Sequence, residues 1–132
     1  WVLSTSFIDK ITSRSMSIIN VGMDIYFQTN QKYTKYTQMT KNPNVTLCTG
    51  NISIEGTAKE AGSWTDEKNK DLMELYKSKH LSSYNKYGNL DGQVIFKITP
   101  KKVSYWKYSS ADGEPYREIL YADRKMAERI EF

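Results

Sequence analysis

The 132-residue chain has the size of one domain, residues 1–132, and a formal net charge of +4. Its Lys and Arg are spread rather than blocked, which argues against a nucleic-acid arm or a membrane-binding patch. No apolar run approaches the roughly 20 residues of a transmembrane helix, no signal peptide is recognisable, and the single Cys48 excludes an internal disulfide or a cysteine-rich metal site. One lone cysteine fits a reducing compartment, so a cytoplasmic location is expected. The chain opens on Trp1 rather than Met, and an N-terminal element is expected upstream.

In chain order, Val2 to Phe7 is a short strand candidate and Thr12 to Val21 a second. Gly22 allows a turn into Met23 to Thr29, where Met23, Ile25 and Phe27 alternate with polar neighbours at the period of a half-buried strand. Asn30 is placed to cap a following helix, which Asn42-Pro43 ends. Val45 to Thr49 and Ile52 to Lys59 read as a hairpin turning at Gly50-Asn51. The longest helix is expected from Thr65 to His80, capped by Thr65, with acids in the first turn and bases in the last. Ser82 to Gly92 is loop-like, with room for a short helical turn. Val94, Phe96 and Ile98 alternate, Pro100 breaks the run, and Val103 to Tyr108 resumes it. Asp112-Gly113 is a turn, Tyr116 to Tyr121 a last strand, and the tail from Ala122 a short helix. Many short strands with few helices point to a closed or nearly closed antiparallel barrel.

Three basic residues stand out. Arg14 is one of only four Arg beside fifteen Lys, and it sits in a strand. A guanidinium offers a planar fork suited to phosphate; solvent or a cross-strand carboxylate would serve it equally well. Lys32 and Lys35 fall in the opening turns of the first predicted helix, against the macrodipole. A bound anion would reverse that sign, because free N–H groups and ammonium groups would face one charge; a basic surface helix is the plainer alternative. Trp106 and Arg117 suit a binding wall around a planar ligand. His80, the only histidine, falls at a helix C-terminus, where its charge is simply stabilising. Cys48 reads as a packed strand residue. No glycine-rich nucleotide loop and no paired-acid pattern is present, so no catalytic residue is assigned.

The order TSRSMSII, IYFQT, a Lys six residues after the Thr, NPNVTLC, ISIEGTA and VSYWKYSSADGEPYREIL resembles the pyridoxamine 5'-phosphate oxidase-like, FMN-binding split-barrel family, over nearly the whole chain. The resemblance implies a mainly β (α+β) fold, a six-stranded antiparallel split β-barrel with two to three peripheral helices. It also implies a homodimer with FMN at the interface. By position, Arg14 would meet the FMN phosphate or the flavin edge, and Ser15, Met16 and Ser17 would lay backbone along the ring. Gln28 and Thr29 would follow the ring and ribityl chain, Lys35 would bind the phosphate, and Asn51 would stand near the ring. Trp106 and Arg117 would reach the flavin from the other subunit. Tyr33 replaces a Ser common in the family, which Lys32 could offset. Glu118 and Ile119 after Arg117 depart from the Arg-Leu-His-x-Arg pattern of the true oxidases. The implied activity is thus a general FMN-dependent oxidoreductase, drawing on NAD(P)H or another donor and serving a small acceptor. The rival readings are a non-catalytic flavin carrier or redox sensor, a haem- or deazaflavin-binding relative, and a small barrel for single-stranded nucleic acid.

Overall fold

A computed structural model describes residues 1–132. Nine strands and three α-helices follow in the order β1 (Val2–Phe7), β2 (Lys10–Ser15), β3 (Ile19–Val21), β4 (Asp24–Asn30), α1 (Thr34–Lys41), β5 (Asn44–Thr49), β6 (Ile52–Glu60), α2 (Lys70–Lys79), α3 (Leu81–Tyr87), β7 (Gln93–Tyr108), β8 (Pro115–Tyr121) and β9 (Met126–Glu131). The strands form one antiparallel sheet in the order β2-β1-β5-β6-β7-β4-β3, and β8 and β9 continue outward from β7. The fold is mainly β with an antiparallel sheet of nine strands that does not close, where the resemblance implies a split barrel of six.

The opening has a simple cause. The run Thr12 to Val21 is not one strand. It pairs with β1 as far as Ser15 and then crosses to pair with β4 from Ile19. Met16, Ser17 and Ile18 lie outside both ladders, with the Met16 N–H tied back to the Trp1 carbonyl at 2.8 Å. The two edges of the sheet are therefore consecutive in the chain, and the crossing segment spans the split.

The other departures from the sequence reading are local. Helix α1 begins at Thr34, with Tyr33 at its N-cap and no side-chain cap. Asn30 instead ends β4 and accepts from the Lys32 N–H at 3.1 Å, an Asx-type turn that places Lys32 before the helix. Thr65 caps nothing in α2. A 3₁₀ turn, Glu67–Asn69, precedes that helix, and the Asp66 carboxylate accepts from the Ser63 N–H at 3.0 Å. Pro100 does not end a strand: β7 runs through it for 16 residues. The register against β6 shifts there, Glu55 facing Lys102 and Gly56 facing Pro100, so Lys101 is an extra residue. A bulge beside Pro is how a strand tolerates a missing N–H donor. The tail is strand β9 rather than helix, held by β8 through the register Tyr116↔Glu131 to Tyr121↔Met126. Cys48 is exposed, because Val45 and Leu47 take the inward positions of β5 and leave Cys48 outward.

The main core lies inside the curved sheet and contains Leu3, Ile25, Phe27, Met39, Val45, Leu47, Ile54 and Phe96. Phe27 and Phe96 stack at 6.0 Å, and each such buried side chain contributes about 1.5–3 kcal/mol. A second, smaller core joins Ile19, Trp64, Tyr76 and Ile95, and fastens α2 to the sheet.

Gly56 marks the tightest backbone approach. A Cβ there would lie 2.7 Å from the Thr99 carbonyl oxygen and 2.9 Å from Ile98 Cγ2. Gly56→Ala is expected to destabilise the protein by about 1–3 kcal/mol, since a backbone atom must give way. Urea denaturation checks this; an unchanged midpoint would mean that the bulge at Lys101 absorbs the methyl group freely.

Candidate functional site

The register of the first hairpin decides where Arg14 points. Leu3 faces Arg14 and Thr5 faces Thr12, and Leu3 and Thr5 are both buried. Arg14 and Thr12 therefore share the inward face, toward α1. The guanidinium donates to the Leu3 carbonyl at 3.2 Å, to Thr5 Oγ1 at 2.9 Å and to Thr12 Oγ1. No carboxylate pairs with it; the ion pairs of the protein involve other cations. A cross-strand carboxylate is absent from this arrangement, and the partly buried guanidinium is turned to protein acceptors.

Lys35 lies in the first turn of α1 and packs its ammonium over the Tyr33 ring at 4.7 Å. Burial holds its pKa below the ordinary lysine range, and the Arg14 charge nearby lowers it further. Burial likewise makes the Arg14 guanidinium a weaker base than usual. Two half-buried cations that feel each other, with no anion between them, form a site of unbalanced positive charge.

Beside them lies a cavity of about 310 Å³ lined by Ser15, Met16, Ser17, Gln28, Thr29, Tyr33, Lys35, Tyr76, Ser83, Tyr87 and Gln93. Thr29 is 2% exposed, and its hydroxyl has no hydrogen-bond partner. An orphaned buried hydroxyl costs about 1–3 kcal/mol unless a ligand supplies its partner. Gln28 lines the same wall with its amide fully engaged. Its oxygen accepts from the Trp64 indole N–H at 2.9 Å, and its nitrogen donates to the Ser83 carbonyl at 3.2 Å and the Ser83 hydroxyl at 3.1 Å. Tyr76 OH completes the set at 3.0 Å from Ser83 Oγ. This network holds α2 and α3 against β4 and forms the wall opposite Ser15–Ser17. The residues fit a ligand with a phosphate and a polar chain: two cations without counter-charge, an unsatisfied buried hydroxyl, and a segment of strand backbone outside any ladder.

A second cavity, about 720 Å³ and mostly apolar, meets the first at Met16 and Ser17. Ile18, Met23, Ile25, Ile52, Ile54 and Val103 line it, with Lys79 and His80 at its edge. His80 Nε2 is engaged with the Ile18 carbonyl at 2.8 Å, which fixes the crossing segment to the end of α2.

Seven of the eleven residues expected at the site come together here. Ser15, Met16, Ser17, Gln28, Thr29 and Lys35 line the smaller cavity, and Arg14 joins Lys35 electrostatically. Lys32, Asn51, Trp106 and Arg117 do not line it. Asn51, Trp106 and Arg117 gather instead on the β7–β8 side: the Asn51 carbonyl accepts from the Trp106 N–H at 3.0 Å, and Trp106 pairs with Arg117 across the ladder. Phe132 stacks on Trp106 at 5.2 Å, and Arg117 Nε is buried without a partner. Sequence reasoning missed Tyr76, Ser83, Tyr87 and Gln93 as lining residues, because a cavity wall contributed by two helices leaves no local spacing to read. It also missed Thr5, Thr12 and Gln38. Their signal was present as polar residues at inward positions, on strands beside Leu3 and on α1 beside Met39.

The sheet and helices define an open antiparallel barrel with a cleft that Lys35 lines. This is the split-barrel fold of the pyridoxamine 5'-phosphate oxidase-like proteins. No protein-family model matches the sequence, and no curated protein matches it significantly. Solved structures carry the comparison. PhzG from Burkholderia lata, in complex with tetrahydrophenazine-1-carboxylic acid, matches 99% of this chain and 80% of its own with TM-score 0.67 and 15% identity. A pyridoxamine 5'-phosphate oxidase-related, FMN-binding protein from Nostoc punctiforme matches 99% and 86% with TM-score 0.66 and 10% identity. HutZ, a haem storage protein from Vibrio cholerae, matches 75% and 79% with TM-score 0.65 and 9% identity. No helix is long and apolar enough to cross a membrane.

Proposed function

We propose that this chain binds FMN and acts as an FMN-dependent oxidoreductase, a homodimer holding the cofactor at its interface, in a reducing compartment such as the cytoplasm. The observation that carries the reading is the pairing of Arg14 and Lys35, two half-buried cations with no carboxylate, beside a cavity with an orphaned Thr29 hydroxyl. A phosphate dianion supplies the missing charge for both, and a polyol chain supplies a partner for Thr29. The backbone of Ser15, Met16 and Ser17 would support the flat face or edge of the ring. Trp106, Arg117 and Asn51, grouped away from the cavity, suit the wall that a second subunit presents. FMN would supply the redox chemistry, accepting electrons from a donor such as NAD(P)H and passing them to a small acceptor. This chain's residues bind, orient and partly shield it; none is assigned a proton-transfer role.

Flavin is favoured over haem by the two cations and the orphaned Thr29 hydroxyl, which suit a phosphate and a polyol chain. The first experiment is the visible spectrum of the purified protein before and after incubation with FMN and desalting. A retained two-banded flavin spectrum is expected; no retained flavin would remove the proposed function, and one intense haem-like band would replace it.

The lowered pKa of Lys35 adds a pH test. The free site releases the Lys35 proton at lower pH than an ordinary lysine does, while a bound phosphate favours the protonated form. Binding then takes up protons, so FMN affinity is expected to fall as pH rises, earlier than free-lysine titration would predict. In Lys35→Arg the charge persists, and the decline is expected to flatten. Fluorescence titration of FMN at stepped alkaline pH values checks both; parallel curves for the two proteins would remove Lys35 from the phosphate site.

A further inference from the structure

We propose that Gln38 is a positioning residue that makes the site selective for phosphorylated over unphosphorylated flavin, by holding Arg14 in a neutral cradle; the proposal rests on the FMN reading. Gln38 is 3% exposed on the inner face of α1. Its oxygen accepts from the hydroxyls of Thr5 and Thr12, each at 2.6 Å. Its nitrogen donates to the Lys10 carbonyl at 3.2 Å, which fixes the amide orientation, since the flipped amide would set oxygen against oxygen.

The direction of these bonds has a consequence for Arg14. A hydroxyl has one proton and two lone pairs. Thr5 and Thr12 both spend their proton on the same Gln38 oxygen. Their lone pairs are left for Arg14, which donates Nη1 to Thr5 and Nη2 to Thr12. The two hydroxyls approach each other at 3.3 Å with no proton left to share between them. The chain of donation runs one way, from guanidinium to threonine to glutamine, and ends on the buried amide.

A buried guanidinium ordinarily finds a carboxylate, a stronger acceptor than an amide oxygen. Here the terminal acceptor is an amide of the same shape as glutamate and without its charge. The cradle fixes the guanidinium while leaving its charge uncompensated. That charge also reaches Lys35. A phosphate is the group that benefits from both, whereas a flavin that ends in a hydroxyl gains little from either.

The alternative is that Gln38 merely fastens α1 to the first hairpin. Titration of the purified protein with FMN and with riboflavin, by calorimetry at neutral pH, separates the two. Gln38→Glu keeps the size, gives up the bond to the Lys10 carbonyl while its carboxyl is ionised, and places a negative charge at the end of the cradle. It is expected to weaken FMN binding by roughly 10- to 100-fold, the scale of an opposite charge acting over a few ångström, and to leave riboflavin binding within about twofold. The loss is expected to shrink as pH falls and the introduced carboxyl takes up a proton, a response that a fastening role would not give. Should that variant fail to fold, Gln38→Met carries the test, because hydroxyls without the amide oxygen that takes both protons are free to rotate and no longer hold Arg14 in one orientation, and the FMN-to-riboflavin preference is again expected to drop. A wild-type protein that binds FMN and riboflavin equally overturns the phosphate reading and this inference with it. A wild-type preference for FMN that persists in the folded Gln38 variants overturns the role of Gln38 alone, as does an equal loss for both flavins.

Discussion

Replacing Arg14 and Lys35 together with alanine is expected to weaken FMN binding between about a hundredfold and ten-thousandfold. A hydrogen bond to a charged group is worth about 1.5–3 kcal/mol, and two of them give roughly 3–6 kcal/mol. Each 1.4 kcal/mol is about a factor of ten in affinity. The two sites share one ligand charge and feel each other, so the single variants are expected not to add up to the double. Riboflavin is the control. It has no phosphate, and its affinity is expected to change little, since the Ser15–Ser17 backbone and Thr29 remain. Unchanged FMN affinity in the double variant would show that the phosphate lies elsewhere. The variant is also informative without ligand. Lys35 makes no salt bridge, and burial opposes its charge. Removing it relieves that opposition, while removing Arg14 takes away its hydrogen bonds to the Leu3 carbonyl and the two threonine oxygens. The ligand-free melting temperature is therefore expected to fall for Arg14→Ala and not for Lys35→Ala.

What the sequence revealed depends on how local each cause is. The hairpin at Gly50-Asn51 is a local event, two alternating runs around a turn, and β5 and β6 pair in that register. Arg14 and Lys35 could be singled out because both break a local expectation, an arginine in a strand and a lysine at a helix start. That the two feel one another depends on a crossing of twenty-one residues, and only the fold supplies it. The split at Met16–Ile18 shows the opposite case. Thr12 to Val21 has the composition of one strand. It breaks because its two ends pair with different neighbours, β1 and β4, and no residue in the segment announces the exchange. Pro100 misled for a related reason: as a local signal it stops a strand, but the extra residue Lys101 let the sheet accommodate it. The tail from Ala122 is strand because β8 offers it an edge, a tertiary choice that outweighs weak local preference. Thr5, Thr12 and Gln38 were passed over because each is unremarkable alone. Their meaning lies in sharing one oxygen atom.

Trp64 carries the other large effect. It is 4% exposed, and its ring lies 4.8 Å from that of Tyr76, in the small core that holds α2 against the sheet. Trp64→Ala is expected to cost about 3–5 kcal/mol in lost burial and cavity formation. It also removes the donor to Gln28 Oε1, leaving a buried carbonyl unpaired at about 1–3 kcal/mol more. Against a total stability of about 5–15 kcal/mol for an ordinary domain, this variant is expected to stand at the edge of unfolding. Trp64→Phe keeps one aromatic ring and loses the N–H together with part of the buried indole. Its destabilisation is expected to lie between the cost of the unpaired Gln28 oxygen and that of Trp64→Ala. The effect on the site then differs in kind from that of the phosphate variants. Gln28, Ser83 and Tyr76 form the cavity wall through one hydrogen-bond network, and loosening it affects every ligand that touches the wall. Trp64→Phe is therefore expected to weaken FMN and riboflavin by the same factor, leaving their ratio at the wild-type value. Urea denaturation measures the first expectation and paired titrations the second. An unchanged unfolding midpoint for Trp64→Ala would mean that α2 and α3 are not fastened through this core. A selective loss of FMN binding in Trp64→Phe would mean that the wall reaches the phosphate and not the rest of the flavin.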